Sequence, residues 1–367
     1  MKNILITIFY ADGLHGGVKY SAELGEYFST LGYNVYVTGV ITNTKTQEYF
    51  KVHNIHLFNI KDLPTDIDFD IVWAHHFPIV PYLIRKGLKY KYLINSCISN
   101  FLPIDRFMFF PENIDMFLTL TEAARKMFIS EYNFSEKKIY TFPNMAPDIF
   151  FVDSIQDKSP EPHKIAIVSN HPPKELLDAM DILKRKNIAV TVYGGANSVD
   201  ITPEILSQYD VIVSIGKTVQ YALAMGIPVY NYDHFGGSGY ININNIDIEE
   251  SENFSGRSFR TKKSAIQIAT EVINQYNDVI PQTHTLKQIA ETRYKLSVQV
   301  QKLLNILLQH SPCKHVAINN SNRLFFDYCD FIINTCAVHN IDMPVINNKK
   351  KETALQRLWR HVRHMKF

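Results

Sequence analysis

The chain is poor in the residues that would declare its chemistry outright. Its four cysteines, Cys97, Cys313, Cys329 and Cys336, form no C-x-x-C pair and have no histidine at metal spacing. That excludes a zinc ribbon and a disulfide framework, and predicts free thiols in a reducing compartment. Net charge is only +2, from 38 basic and 36 acidic residues, too small an imbalance to argue for nucleic acid. No apolar stretch is long enough to span a membrane. The opening run holds Thr7 and Tyr10 and ends in a Gly-rich turn, not a cleavage site, so it reads as a strand and not as a signal peptide. The expected location is cytoplasmic, or peripheral on the inner face of the cell membrane.

What remains is a chain of 367 residues, 46% hydrophobic and rich in Tyr and Phe, long enough for two domains with separate cores. Its organising stretch is residues 210–241. An apolar run from Val211 to Ile215 ends at Gly216, a helix runs from about Lys217 to Met225 and closes at Gly226, and a second apolar run covers Ile227 to Tyr230. Two buried parallel strands joined by a helix form a βαβ unit, and ligands bind outside the carboxyl ends of such strands. Both turns there suit an anion. Gly216, Lys217 and Thr218 open a helix, where free N–H groups, a hydroxyl and an ammonium meet the positive dipole end. Gly236, Gly237 and Gly239, around Ser238, allow a loop whose amides approach a phosphate closely. The plainer reading is a strand-to-helix turn and an ordinary loop. A Walker A loop is excluded, because the second glycine before a Lys-Ser/Thr pair is missing.

Along the chain, strands are expected at 3–9, 34–40, 55–60, 69–74, 90–95, 115–120 and 139–142, with helices between most of them. A Gly16-Gly17 turn follows the first strand. His75 and His76 follow the fourth, where they either face the crevice or cap the strand. The loop around 100–113, with Phe101, Leu102, Phe107, Met108, Phe109 and Phe110, reads as core or as a lipophilic surface. A charged, Pro-bearing linker at 151–163 precedes renewed alternation. The expected fold is therefore α/β, two Rossmann-like doubly wound halves facing across a cleft: 1–152, 153–310 and a C-terminal helical extension, 311–367. Helices are predicted at 261–277 and 284–310. The last, within 353–367, is basic and amphipathic, and either lies on anionic lipid or packs on the first domain.

Several stretches together resemble the bacterial glycosyltransferases of the two-domain GT-B fold, similar to retaining family 4 and its capsule and lipopolysaccharide members. HGGVKYSAELGEYFSTLGYNVYV is similar to the family's opening, DIVWAHH to its D-I-V-H-A-H strand, KIYTFPNMAPDIF to the turn ending its first domain, and ALAMGIPVYNYDHFGG to its E-A-M-A-x-G-x-P-V segment and Gly-Gly loop. The match covers most of residues 1–285. It implies a hexosyltransferase-like enzyme passing a sugar from a nucleotide-diphospho-sugar to a polysaccharide, lipopolysaccharide or lipid-linked glycan. The family's two glutamates, eight positions apart, fall on Val213 and Tyr221. Its phosphate-clamping Arg and Lys fall on Ser169 and Lys174, and a further His on Ser96 or Cys97.

The expected catalytic residues are His75, His76 and Lys174. The expected donor site is Gly16, Gly17, Lys217, Thr218, Tyr221, Asp233, His234, Gly236, Gly237, Ser238 and Gly239, with Tyr221 stacking on the base or filling the core. No D-x-D pair of the type that holds a divalent metal beside a diphosphate is evident, so no metal and no cofactor are expected. Cationic side chains and helix ends would stabilise the leaving diphosphate instead. An epimerase of nucleotide-sugars would need acid/base groups in the cleft, with Asp12, His15, His171, Asp233 and His234 as candidates. A catalytically silent glycan-binding relative is the third reading.

Overall fold

The computed structural model describes residues 2–339 apart from 65, 100–102, 107–109, 133, 153–158 and 196. The first domain contains β1 (Lys2–Ala11), α1 (Gly16–Thr30), β2 (Tyr33–Thr42), α2 (Thr44–Val52), β3 (His56–Asn59), β4 (Asp68–Ala74), α3 (Ile79–Arg85), β5 (Lys89–Cys97), β6 (Met116–Thr119), α4 (Glu122–Tyr132) and β7 (Ile139–Thr141). These seven strands form one parallel sheet, β3-β2-β1-β4-β5-β6-β7. Strand β1 shows why. Ile4, Leu5, Ile6, Ile8 and Phe9 are fully buried, and alternate residues serve opposite faces: Leu5 and Phe9 enter one core, Ile4, Ile6 and Ile8 the other. A near-continuous apolar run covered on both faces is what a central parallel strand requires, each large side chain contributing roughly 1.5–3 kcal/mol by burial.

The second domain repeats the device with β8 (Lys164–Val168), α5 (Lys174–Arg185), β9 (Ala189–Tyr193), α6 (Pro203–Leu206), β10 (Val211–Ser214), α7 (Lys217–Ala224), β11 (Val229–Asp233) and β12 (Gly236–Tyr240). The sheet order is β12-β11-β10-β8-β9, with only β12 antiparallel. Strand order therefore reverses between β1 and β4 in one sheet and between β8 and β10 in the other, the two places where crossovers leave a crevice.

The remaining helices are α8 (Ile246–Ser251), α9 (Ala265–Asn274), α10 (Tyr276–Val279), α11 (Thr283–Arg293), α12 (Leu296–Leu308) and α13 (Arg323–His339). The helix expected over 284–310 is divided at Tyr294-Lys295. There the chain recrosses to the first domain, with the Ala146 amide donating to the Tyr294 carbonyl and the Leu296 amide to the Ala146 carbonyl. Helix α12 then buries Leu296, Val300, Leu303, Leu304 and Leu307 in the first domain's core. Its apolar face was built for that sheet, so it does not belong with the donor-side half. Helix α13 packs Phe326, Cys329, Ile332 and Ile333 against the opposite face. Ile104 and Phe110 of the lipophilic loop are also core. Phe101, Leu102, Phe107, Met108 and Phe109, the centre of the linker and the basic C-terminal segment lie outside the described residues. Among those described, no helix is long and apolar enough to cross a membrane.

Candidate functional site

A cavity of about 300 Å³ opens between the domains where the carboxyl ends of the two sheets face each other. Leu14, His15, Gly16 and Lys19 form the first-domain wall. The second domain contributes the ends of its four parallel strands: Ser169 to His171 after β8, Tyr193 and Gly194 after β9, Ser214, Lys217 and Thr218 after β10, and Asp233 with His234 at β11. Side chains at strand ends converge here because both sheets twist their order at this level.

Two helices begin on this cavity. Helix α1 starts at Gly16 behind His15, and α7 at Lys217 behind Gly216; neither N-cap residue supplies a side-chain acceptor. Gly216 adopts φ +62, a left-handed position that lets the chain turn from β10 into α7 without a Cβ. At Gly16 a Cβ would meet nothing within 4 Å, so the glycine keeps the approach to the α1 amides open. Both termini are suited to an anion.

The charged groups on the walls are held across the cleft. Lys217 Nζ lies 2.5 Å from Glu23 Oε2, donates to the Met145 carbonyl at 2.9 Å, and sits over the rings of Tyr20 and Tyr221. Tyr221 donates to the other Glu23 oxygen and stacks on Phe150 at 4.2 Å. Its ring therefore fills the core, the second of the two roles open to it from sequence. Burial raises the Glu23 carboxyl above its usual range, with Lys217 and Tyr221 pulling it back. Lys19 pairs with Asp200 at 3.1 Å.

On the second-domain side Asp233 is buried. It accepts from Ser169 Oγ at 2.8 Å and from the His234 amide at 2.6 Å, while the half-exposed His234 ring stands 3.3 Å away. His15 has Nε2 2.9 Å from the Tyr10 carbonyl. A carbonyl only accepts, so the proton is on Nε2 and Nδ1 carries the lone pair. Burial lowers the His15 pKa, which keeps this tautomer neutral. Among the described residues, no three of His, Cys, Asp and Glu converge as metal ligands.

Several sequence expectations need correction. His75 and His76 do not line the cavity. His75 is buried in the first domain beneath the Tyr20 ring, with Nδ1 3.4 Å from the Ser96 carbonyl, and burial lowers its pKa to about 4. His76 turns to φ +62, accepts the Phe9 amide on Nδ1 at 3.1 Å, and points Nε2 at Asp105, 3.3 Å away. His75 is covered by the Tyr20 ring of α1 and His76 is turned onto Asp105, so neither faces the crevice. Lys174 is also off the cavity: its side chain is 86% exposed on the outer face of α5 and pairs with Asp178 one turn on.

Gly236, Gly237, Ser238 and Gly239 are not an open phosphate loop. They form β12, hydrogen-bonded to β11, and are largely buried. A Cβ at Gly237 would stand 1.9 Å from the Asn231 carbonyl oxygen, and one at Gly236 2.4 Å from that of Thr261. These glycines serve close backbone packing. Gly17 lies on α1 just behind the wall, against the His15 ring. Of the expected set, Gly16, Lys217, Thr218, Tyr221, Asp233 and His234 share the cavity. Lys19, Glu23 and Asp200 were not foreseen as site residues. Their only signal was a Lys and a Glu one turn apart on the helix after the Gly-Gly turn, a spacing that usually marks a solvated face.

No family model and no curated protein matches the chain. Solved structures do. A glycosyltransferase from Rickettsia africae superposes with a TM-score of 0.52 at 14% identity, over 84% of this chain and 98% of that one. A UDP-N-acetylglucosamine 2-epimerase from Listeria monocytogenes, so designated provisionally, gives 0.52 at 10% identity over 87% and 100%. The pneumococcal O-GlcNAc transferase GtfA, solved with UDP and GlcNAc, gives 0.51 at 11% identity over 84% and 99%. At such identities the likeness concerns the fold: two Rossmann-like domains in the GT-B arrangement.

Proposed function

We propose that the chain is a glycosyltransferase that takes a nucleotide-diphospho-sugar into the interdomain cavity and passes the sugar to a glycan acceptor, in a surface polysaccharide, a lipopolysaccharide or on a lipid carrier. One observation carries this reading: two helix N-termini without side-chain caps and two lysines meet on one cavity at the switch points of both sheets. As the bond between the sugar's anomeric carbon and the diphosphate breaks, charge grows on the leaving oxygen, and donors fixed in advance stabilise that charge most. Lys217, Thr218 and the opening amides of α1 and α7 are those donors. The acceptor oxygen bonds to the anomeric carbon and gives up its proton to His15 Nδ1, whose lone pair the Tyr10 carbonyl keeps available. Charge is met by ammonium groups and helix ends, so turnover is expected to persist in a chelator. The protein would act in the cytoplasm or at the inner face of the cell membrane.

A second reading has its own support. Of the five acid/base candidates of an epimerase, His15, His171, Asp233 and His234 line the cavity and Asp12 does not. The two reactions separate cleanly. Release of nucleoside diphosphate that depends on a cell-derived glycan acceptor supports transfer, while interconversion of donor epimers without acceptor supports epimerisation and overturns the transfer reading.

A further inference from the structure

Lys19 and Glu23 lie one turn apart on α1 and face the second domain, where each meets an opposite charge. Lys19 Nζ is 3.1 Å from Asp200 Oδ1 and donates to the Val199 carbonyl at 3.5 Å; Glu23 Oε2 is 2.5 Å from Lys217 Nζ. The arrangement is reciprocal, since each domain lends one cation and one carboxylate to the other. Lys19 and Lys217 both line the cavity, whereas Glu23 and Asp200 stand outside its walls. Among the described residues Asp233 is the one carboxylate on the walls, and it already accepts from Ser169 Oγ and the His234 amide.

We propose that Lys19 and Lys217 are the anion-binding pair of this cavity, and that a diphosphate binds by exchange, taking the places of Asp200 and Glu23. The proposal deepens the donor reading above and rests on it only for the class of ligand. Lys217 and Glu23 are 11% and 13% exposed, and a buried ion pair cannot lose one partner without stranding the other. Lys217 therefore gives up Glu23 only to another anion, while the released carboxylate keeps the hydrogen bond from Tyr221. A neutral glycan cannot displace it, and a single phosphate satisfies one lysine. Two linked phosphates satisfy both, with the amides of α1 and α7 at hand for the remaining oxygens. Because both pairs cross the cleft, the same exchange releases charge contacts that join the domains.

The test uses the full chain, titrated calorimetrically with inorganic pyrophosphate and, in parallel, with inorganic phosphate. The variants are Asp200→Asn, Glu23→Gln with Asp200→Asn, and Lys19→Met with Lys217→Met. Where a competing carboxylate occupies the site, apparent affinity is reduced by the fraction of protein it occupies. Asp200→Asn is expected to tighten pyrophosphate severalfold and the double carboxylate variant about tenfold or more. The double lysine variant should lose binding, and phosphate should gain less than pyrophosphate. Unchanged or weaker pyrophosphate binding in Asp200→Asn, or undiminished binding without the lysines, overturns the proposal. Asp200 is 41% exposed, so its amide variant remains informative if the buried change prevents folding. A pyrophosphate gain without any sugar transfer would keep the exchange and sink the transferase. Transfer without the gain would do the reverse.

Discussion

The Lys217 ammonium of the second domain lies 2.5 Å from the Glu23 carboxylate of the first, caged by the rings of Tyr20 and Tyr221 and tied to the Met145 carbonyl. Removing one partner leaves a buried charge. Glu23→Ala or Lys217→Ala is expected to destabilise the fold by about 3 kcal/mol, whereas changing both to Met should restore most of the loss. Urea unfolding of the three variants checks this, and equal losses in single and double variants would contradict it.

Gly16 and Gly237 make a contrast. A Cβ at Gly237 collides with the Asn231 carbonyl oxygen at 1.9 Å, so Gly237→Ala should cost about 1–3 kcal/mol or more through displaced backbone. Gly16→Ala adds a methyl where nothing stands within 4 Å, and stability should change by no more than about 0.5 kcal/mol. That methyl borders the cavity, however, so donor affinity should fall. Melting curves and donor titrations of the two variants separate the effects.

His15 is the proposed base. His15→Gln keeps a group able to reach the Tyr10 carbonyl but loses the imidazole lone pair, and turnover should fall roughly 100-fold with little change in donor affinity. His75 is buried away from the cavity, and His75→Phe should leave donor affinity within about twofold. A turnover assay with a parallel binding titration distinguishes them.

Much of the architecture was legible because parallel strands covered on both faces leave near-continuous apolar runs, as in Ile4 to Phe9 and Val211 to Val213. What failed depended on distant neighbours. The sequence GGSGY reads as a loop, and only the Asn231 and Thr261 backbones explain why glycine must form a strand there. The break between α11 and α12 is a change of domain, which helical periodicity cannot register. His75 and His76 stand at a strand end, but what covers that end, Tyr20 of α1 and Asp105, comes from elsewhere in the chain. Lys19 and Glu23 become a site only once Asp200 and Lys217 are brought opposite them.

Asp105 introduces a pH dependence. Burial raises its carboxyl from 3.8 to about 7, with Arg106 pulling it down. The folded protein thus holds this proton more tightly than the unfolded chain. The contribution to stability is full below about pH 4 and is lost as pH rises towards 7. The neighbouring His76, whose pKa burial lowers, acts oppositely, losing stability as pH falls below its ordinary 6.5. The difference between wild type and Asp105→Asn isolates the carboxyl. Measured by denaturant unfolding, wild type should lose stability relative to the variant between pH 4 and pH 7, and a constant difference would contradict the assignment.

The most direct measurement is the melting temperature of the full chain against a panel of nucleoside diphosphates and their sugar conjugates, beside Gly16→Ala. A ligand that binds only the native state raises stability by mass action, about 2.7 kcal/mol at 100 times its dissociation constant. The expected result is an upward shift with one base, present for both its diphosphate and its sugar conjugate, and reduced in the variant. No shift with any member of the panel would contradict a donor site in the interdomain cavity.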